Sequence, residues 1–237
     1  MTVPHPLDNP VRSSLAGPHA RFAQRRGNVL RYAPDVCPWV AMPDVPDAAD
    51  WVDAAELLGP GGLLRLSAVR VAPPAGWAVE MVREGVQMTG DGMAGAADPE
   101  VVPLGPGDVP EMLDLAARTR PGPFLPRSVE IGAYLGIRRG GALVAMAGER
   151  LHPPGWTEIS AVCTDAAWRG SGLASRLVLA LVAGIRARGE IPFLHVLTAN
   201  PSAIRLYEEL GFRLRRRTVF SATRVPNSGC HRGTAPA

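Results

Sequence analysis

Between Glu158 and Phe212 the hydrophobic positions change period several times, and each change marks an element. Glu158–Thr164 (EISAVCT) alternates behind a Pro154-Gly155 turn, which predicts a strand. From Leu173 the spacing lengthens. Leu173, Leu177, Val178, Leu181, Val182 and Ile185 recur at three- and four-residue steps, the stripe of an amphipathic helix with Gly189 as its expected stop. Phe193–Leu197 reads as a second strand. Asn200-Pro201-Ser202 breaks it and opens another helix, with Ser202 as the expected N-cap, Ile204, Leu206, Tyr207 and Leu210 as its apolar positions, and Gly211 as its end. Extended chain resumes from Phe212 through Thr218–Phe220.

Upstream the pattern is shorter and more broken. A helix is predicted over Val11–Gln24, short strands over Val29–Tyr32 and Pro38–Met42, and a helix over Asp47–Leu58, capped by Asp47 and stopped by Gly59-Pro60. Leu63–Val71 and Trp77–Val82 read as strands. Thr89–Glu100 (TGDGMAGAADPE) is small and poor in apolar residues, the composition of a linker. Val101–Leu104 restarts as a strand. Asp108 is expected to cap a helix over Val109–Arg118, Arg120–Phe124 to form a rigid loop, and Ser128–Leu135 a further helix. Ile137–Arg138 and Ala142–Glu149 pair as a hairpin around Arg139-Gly140-Gly141. The resulting division is an N-terminal α/β subdomain over 1–88, a linker over 89–100, a second α/β domain over 101–225 and a flexible tail over 226–237.

Composition narrows the class. The chain has 237 residues, 46% of them hydrophobic, which suits one large or two small globular domains. Its 24 prolines and 26 glycines are scattered and so mark loops rather than a low-complexity tract. Every cation is arginine, yet the net charge is only +3, so no nucleic-acid partner is expected; Arg213, Arg215, Arg216 and Arg217 read as solvated strand positions. The three cysteines, Cys37, Cys163 and Cys230, are odd in number and lack metal-ligand spacing, which predicts reduced thiols in a cytoplasmic protein and no metal. The N-terminus lacks signal-peptide character, and no apolar run approaches the about 20 residues that a membrane span needs.

Candidate chemistry lies at Arg169-Gly170-Ser171-Gly172, between a predicted strand and a predicted helix. A glycine-rich turn there leaves backbone N–H groups uncovered at the positive end of the helix dipole, a site for phosphate. Walker-type loops are excluded because the chain contains no lysine, and a dinucleotide loop because Ala174 and Ser175 follow Gly172 where a third glycine would be needed.

Arg169-x-x-Gly172-x-Ala174 resembles the acetyl-CoA signature of the GNAT N-acetyltransferase superfamily. Asn200-x-x-Ala203-x-x-Leu206-Tyr207-x-x-Leu210-Gly211-Phe212 resembles its second conserved block, at the expected separation. The resemblance covers about Val101 to Thr223, and within the superfamily the chain looks most similar to the subset related to glycine N-acyltransferases, which carry an extra N-terminal half. It implies a mixed, mostly antiparallel sheet that splays at the cofactor site and is flanked by helices, preceded by a smaller α/β half like a degenerate copy of the same fold.

It also implies roles. The pyrophosphate of acetyl-CoA would meet the amides of Gly170, Ser171, Gly172, Leu173 and Ala174 and the Arg169 side chain, and the pantetheine arm would run along Val162, Cys163 and Thr164. A backbone N–H near Val162 would polarise the thioester, Asn200 would bind the arm or orient the second block, and Tyr207 would protonate the leaving thiolate. Glu158, Glu149 and His195 are candidates for the base that deprotonates the acceptor amine; Glu158, on the strand face of Ser160 and Val162 by period two, is the one named. The expected partner is a small-molecule or peptide amine, and the expected assembly a monomer or homodimer. The alternative is a non-catalytic acyl-CoA-binding sensor or scaffold.

Overall fold

The structure is a computed structural model and describes residues 5–227, so most of the expected tail, Cys230 included, lies outside the described residues. Asn9 accepts a hydrogen bond from the Arg12 N–H and caps α1 (Pro10–Leu15), which is shorter than the helix expected there. Strands β1 (Ala23–Arg26), β2 (Val29–Tyr32) and β3 (Val40–Ala41) form a three-stranded antiparallel sheet. Helix α2 (Ala48–Leu58) starts with a reciprocal capping box between Asp47 and Asp50, two orphan donors satisfied at once.

Strands β4 (Leu63–Ser67) and β5 (Ala78–Thr89) follow. Then come β6 (Val102–Leu104), α3 (Val109–Thr119), the hairpin of β7 (Tyr134–Arg139) and β8 (Ala142–Glu149), β9 (Trp156–Thr164), α4 (Leu173–Ala187), β10 (Ile191–Leu197), α5 (Pro201–Leu210) and β11 (Arg213–Arg224). Two expectations change here. Ser128–Leu135 supplies only a short 3-10 turn over Ser128–Glu130 and the first residues of β7. Asp108 is the N-cap residue of α3, but its carboxylate makes no bond to that helix; it accepts from the Gly105 N–H and pairs with Arg138.

Eight strands form one sheet in the order β4-β11-β5-β10-β9-β8-β7-β6, antiparallel throughout except for the parallel pair β9–β10. This is a mixed, mostly antiparallel α/β fold. Strand β5 sits between β10 and β11, with Gly85–Thr89 paired on both sides. The division expected at residue 88 therefore falls inside a central strand.

The segment after β5 is not a free linker. Met93 is buried in the main core, the Ala96 N–H donates to Leu179 O, and Arg176 on α4 pairs with Asp98. Gly95 lies so close to α4 that a Cβ would stand 2.3 Å from the Ala183 nitrogen, and its φ of +74° also favours glycine.

Two layers cover the sheet. On one face, the stripe Leu173, Leu177, Val178, Leu181, Val182 and Ile185 of α4 packs with Tyr207 and Phe212 against Ile159, Leu194, Val196, Val86 and Met88. On the other face, α3 covers Met146, Ala161 and Cys163. The N-terminal residues Leu7, Val11, Leu15, Tyr32, Val36 and Trp39 pack with Leu151, Phe193 and Phe220. Burying one such side chain contributes about 1.5–3 kcal/mol, so the N-terminal layer is bound to the sheet by its core.

Candidate functional site

The site begins where the parallel pair comes apart. β9 and β10 are in register at Ile191↔Trp156, Pro192↔Thr157 and Phe193↔Glu158, and there the pairing stops, although β9 runs on to Thr164 and β10 to Leu197. On its other side β9 carries a bulge: Gly148 pairs with Ser160 and Met146 with Cys163, leaving Ala161 and Val162 opposite Ala147. Ala161 takes a φ of +53° to make it. The bulge corrects the period-two reading: Glu158 and Val162 do not share a face, because Val162 packs with the α4 layer while Ala161 and Cys163 face α3. The Cys163 thiol is buried and its pKa is raised by that burial, so only its backbone is available to a ligand.

Above this fork lies the glycine turn. Asp165 caps the short 3-10 turn Ala166–Trp168 and pairs with Arg118 at the end of α3, which fixes the start of the loop. Gly170 (φ +77°) and Gly172 (φ +74°) both adopt left-handed backbone, and a Cβ on either would meet nothing within 4 Å. The left-handed backbone by itself favours glycine at both positions. Gly172 is the N-cap of α4, and no side chain caps the helix; its first bond is Arg176 N–H to Gly172 O. Among the described residues, no acceptor is found for the backbone N–H groups from Gly170 to Ser175. Six successive unpaired donors at the start of a 15-residue helix suit a doubly charged oxyanion group. The exposed Arg169 side chain reaches only the Thr164 carbonyl, at 3.5 Å, and forms no ion pair with a described residue.

The remaining candidate residues lie at the end of β9 and on α5. Thr164, the last residue of β9, has a buried Oγ1 without a hydrogen-bond partner. Asn200, not Ser202, caps α5: its Oδ1 accepts from the Ala203 N–H at 3.2 Å and from Ser202 Oγ at 2.9 Å, with Pro201 in the first helical position. That leaves the exposed Asn200 amide NH2 uncommitted. Tyr207, about two turns on, is 8% exposed and packs edge-on against Phe212. Burial raises its phenol pKa to about 12, and the hydroxyl bonds to no described residue. An unpaired strand edge, a row of free amides, an orphaned hydroxyl and a protonated phenol suit an extended chain that ends in a pyrophosphate at one end and a thioester at the other.

Glu158 needs correction as the expected base. It is fully buried and accepts three hydrogen bonds, from Arg150 Nε (2.8 Å), Arg150 Nη2 (2.7 Å) and His195 Nδ1 (2.7 Å). Burial alone would raise its pKa, but the Arg150 charge and the hydrogen bonds from Arg150 and His195 outweigh that and hold it down to about 2. A carboxylate so held has little affinity for a substrate proton. The other two candidates are also enclosed. Glu149 is 3% exposed and binds Arg188 and the Ala133 N–H, and the His195 side chain is 0% exposed. Arg150 and Gln87 had not been singled out in the sequence. The available signal for Gln87 was one amide within the otherwise apolar Val86–Met88.

No helix among the described residues is long and apolar enough to cross a membrane. A family model described as FR47-like protein matches residues 134–221. A crystal structure of a putative acetyltransferase from the GNAT family of Novosphingobium aromaticivorans DSM 12444 is 42% identical, covers 93% of this chain and 98% of that chain, and has a TM-score of 0.86. The curated relative N-alpha-acetyltransferase RimI from Mycobacterium tuberculosis (strain ATCC 25618 / H37Rv) is 41% identical over 90 residues, which span 35% of this chain and only 56% of that relative's length. A GCN5-related N-acetyltransferase from Kribbella flavida, at 18% identity and a TM-score of 0.59 over 94% of this chain and 97% of its own, shares the fold.

Proposed function

Because the chain belongs to the GNAT family of acetyltransferases, we propose that it transfers the acetyl group of acetyl-CoA to a primary amine by direct attack in a ternary complex. The observation that carries this reading is the fork between β9 and β10, which opens beneath six unpaired backbone donors. Acetyl-CoA supplies the activated thioester; the chain binds, orients and moves protons. The amides from Gly170 to Ala174 and the Arg169 guanidinium hold the pyrophosphate, each dipole contribution being about 0.3–1 kcal/mol. The free edge of Val162–Thr164 holds the arm as an added strand would, with the Asn200 amide at its side. A backbone N–H at Val162 polarises the thioester carbonyl.

Tyr207 gives its proton to the departing thiolate. A phenol with a pKa of about 12 is fully protonated at neutral pH and so available as the acid. The base is left to water. Glu158, Glu149 and His195 are each buried and already paired, so the amine reaches the fork neutral and its second proton leaves through solvent. The acceptor is a small amine, an amino acid as in the glycine N-acyltransferase-like subset, or a peptide N-terminus. RimI is named for N-alpha acetylation, but its match covers only 35% of this chain.

The test is a screen of amines and N-terminal peptides for release of free coenzyme A thiol, run on the wild type and on Tyr207→Phe. The enzyme reading requires turnover with at least one amine, and a loss of about 10²–10⁴-fold in Tyr207→Phe with acetyl-CoA still bound. Binding without turnover across the screen would instead favour an acyl-CoA sensor.

A further inference from the structure

Glu158 lost the role of base, yet its position remains unexplained by packing. It is the last residue of β9 that pairs with β10, so it sits at the crotch of the fork. His195 stands two residues beyond the last paired position of β10, and its imidazole reaches diagonally back across the gap to Glu158 Oε1 at 2.7 Å. Arg150 clamps the same carboxylate from the other side with two bonds.

The proton on His195 is assigned by its next neighbour. Gln87 Oε1 accepts from Arg215 Nη1 at 2.7 Å, and Gln87 Nε2 donates to Leu7 O at 2.9 Å, so the amide can face only one way. Its NH2 therefore meets His195 Nε2, at 3.0 Å, as a donor. Nε2 accepts, and the ring hydrogen sits on Nδ1, facing Glu158. Arg215 in turn pairs with Asp8, which Arg216 also holds. A connected line of polar groups thus runs from the half-exposed Asp8 and Arg215 to the buried Gln87, His195 and Glu158 at the fork, and each link joins a donor to an acceptor.

We propose that Gln87 and His195 are positioning residues: Gln87 holds His195 with its hydrogen on Nδ1, and His195 braces Glu158 so that β9 leaves β10 at the angle the thioester arm requires. The inference rests on the acetyl-CoA reading and adds to it a task for the N-terminal layer. Leu7 and Asp8 anchor the far end of the brace, so the layer takes part in setting the cofactor cleft.

The phosphate loop lies beyond the brace, and this separates a positioning role from a merely structural one. Binding of acetyl-CoA uses both the loop and the arm; binding of the adenosine bisphosphate fragment of coenzyme A uses the loop alone. In calorimetric titrations of the full chain, His195→Leu should weaken acetyl-CoA about tenfold, or about 1.4 kcal/mol, and leave the fragment within about twofold. His195→Asn, whose amide N–H can replace the Nδ1 donor, should restore most of the acetyl-CoA affinity. Gln87→Met, which releases the tautomer but fills the space, should show the same split to a smaller degree and serves if His195→Leu does not fold. Equal weakening of both ligands, or folded variants with unchanged acetyl-CoA affinity, would overturn the proposal. Absence of acetyl-CoA binding by the wild type would instead overturn the function on which it rests.

Discussion

The buried Glu158 makes a prediction whose size follows from the structure. Its carboxyl is held at about 2 in the fold against an ordinary value of 4.5. A depressed pKa means that the ionised form stabilises the fold above the unfolded value, and that this stability is lost as pH falls through the folded one. That lowering corresponds to about 3 kcal/mol at pH 7 and to about 1 kcal/mol at pH 3, where the unfolded chain is already protonated. Glu158→Gln keeps the shape and removes the charge, leaving Arg150 buried without its counter-ion. Urea unfolding of wild type and variant, measured in parallel from pH 7 to pH 3, should show the wild type ahead by about 3 kcal/mol at neutrality, with the gap closing by about 2 kcal/mol at pH 3. Other acids whose pKa values are lowered, such as Asp8, Asp98 and Glu130, titrate in both proteins and cancel in the difference. A gap that stays constant with pH would refute the reasoning, since it would mean that Glu158 is not held ionised by its partners.

Three further outcomes follow from local geometry. Gly95→Ala should destabilise the chain by more than about 2 kcal/mol in the same unfolding assay, because the new Cβ meets the α4 backbone and the left-handed φ is strained as well. Asn200→Ala should cost about 1 kcal/mol through the lost α5 cap, whereas Ser202→Ala should leave the cap bond to Ala203 in place. Cys37, whose thiol burial pushes up to about 12, and Cys163, also raised by burial, should resist an aromatic disulfide reagent at pH 8 in a Cys230→Ser variant and react only after denaturant is added.

The sequence made the periodic elements legible and left their long-range partners hidden. All six stripe residues of α4 are buried, because a 3.6-residue period and burial on one helix face are the same fact. The turn Arg169–Gly172 was legible because glycine at a strand–helix junction has few other uses. The bulge at Ala161 was not, since alanine is an unusual residue for a positive φ and carries no signal for it. That one inserted residue turned Val162 away from Glu158 and undid the period-two argument. The place of β5 between β10 and β11 was equally hidden: pairing across more than a hundred residues leaves no local trace, and the glycine-rich stretch after Thr89 looked like a boundary because it needs small residues to lie against α4. Glu158 was misread for the same reason. Its identity was visible, but Arg150 and His195 became its partners only through the fold.

The most direct measurement is thermal unfolding of the full chain with and without acetyl-CoA. At 100 times its dissociation constant the ligand should stabilise the fold by about 2.7 kcal/mol, which for a chain of this size raises Tm by about 5–10 °C. Arg169→Ala should reduce that shift. No shift at millimolar acetyl-CoA, with longer acyl-CoAs equally silent, would contradict the account, because the six open amides above the fork would then be only the uncapped start of a helix.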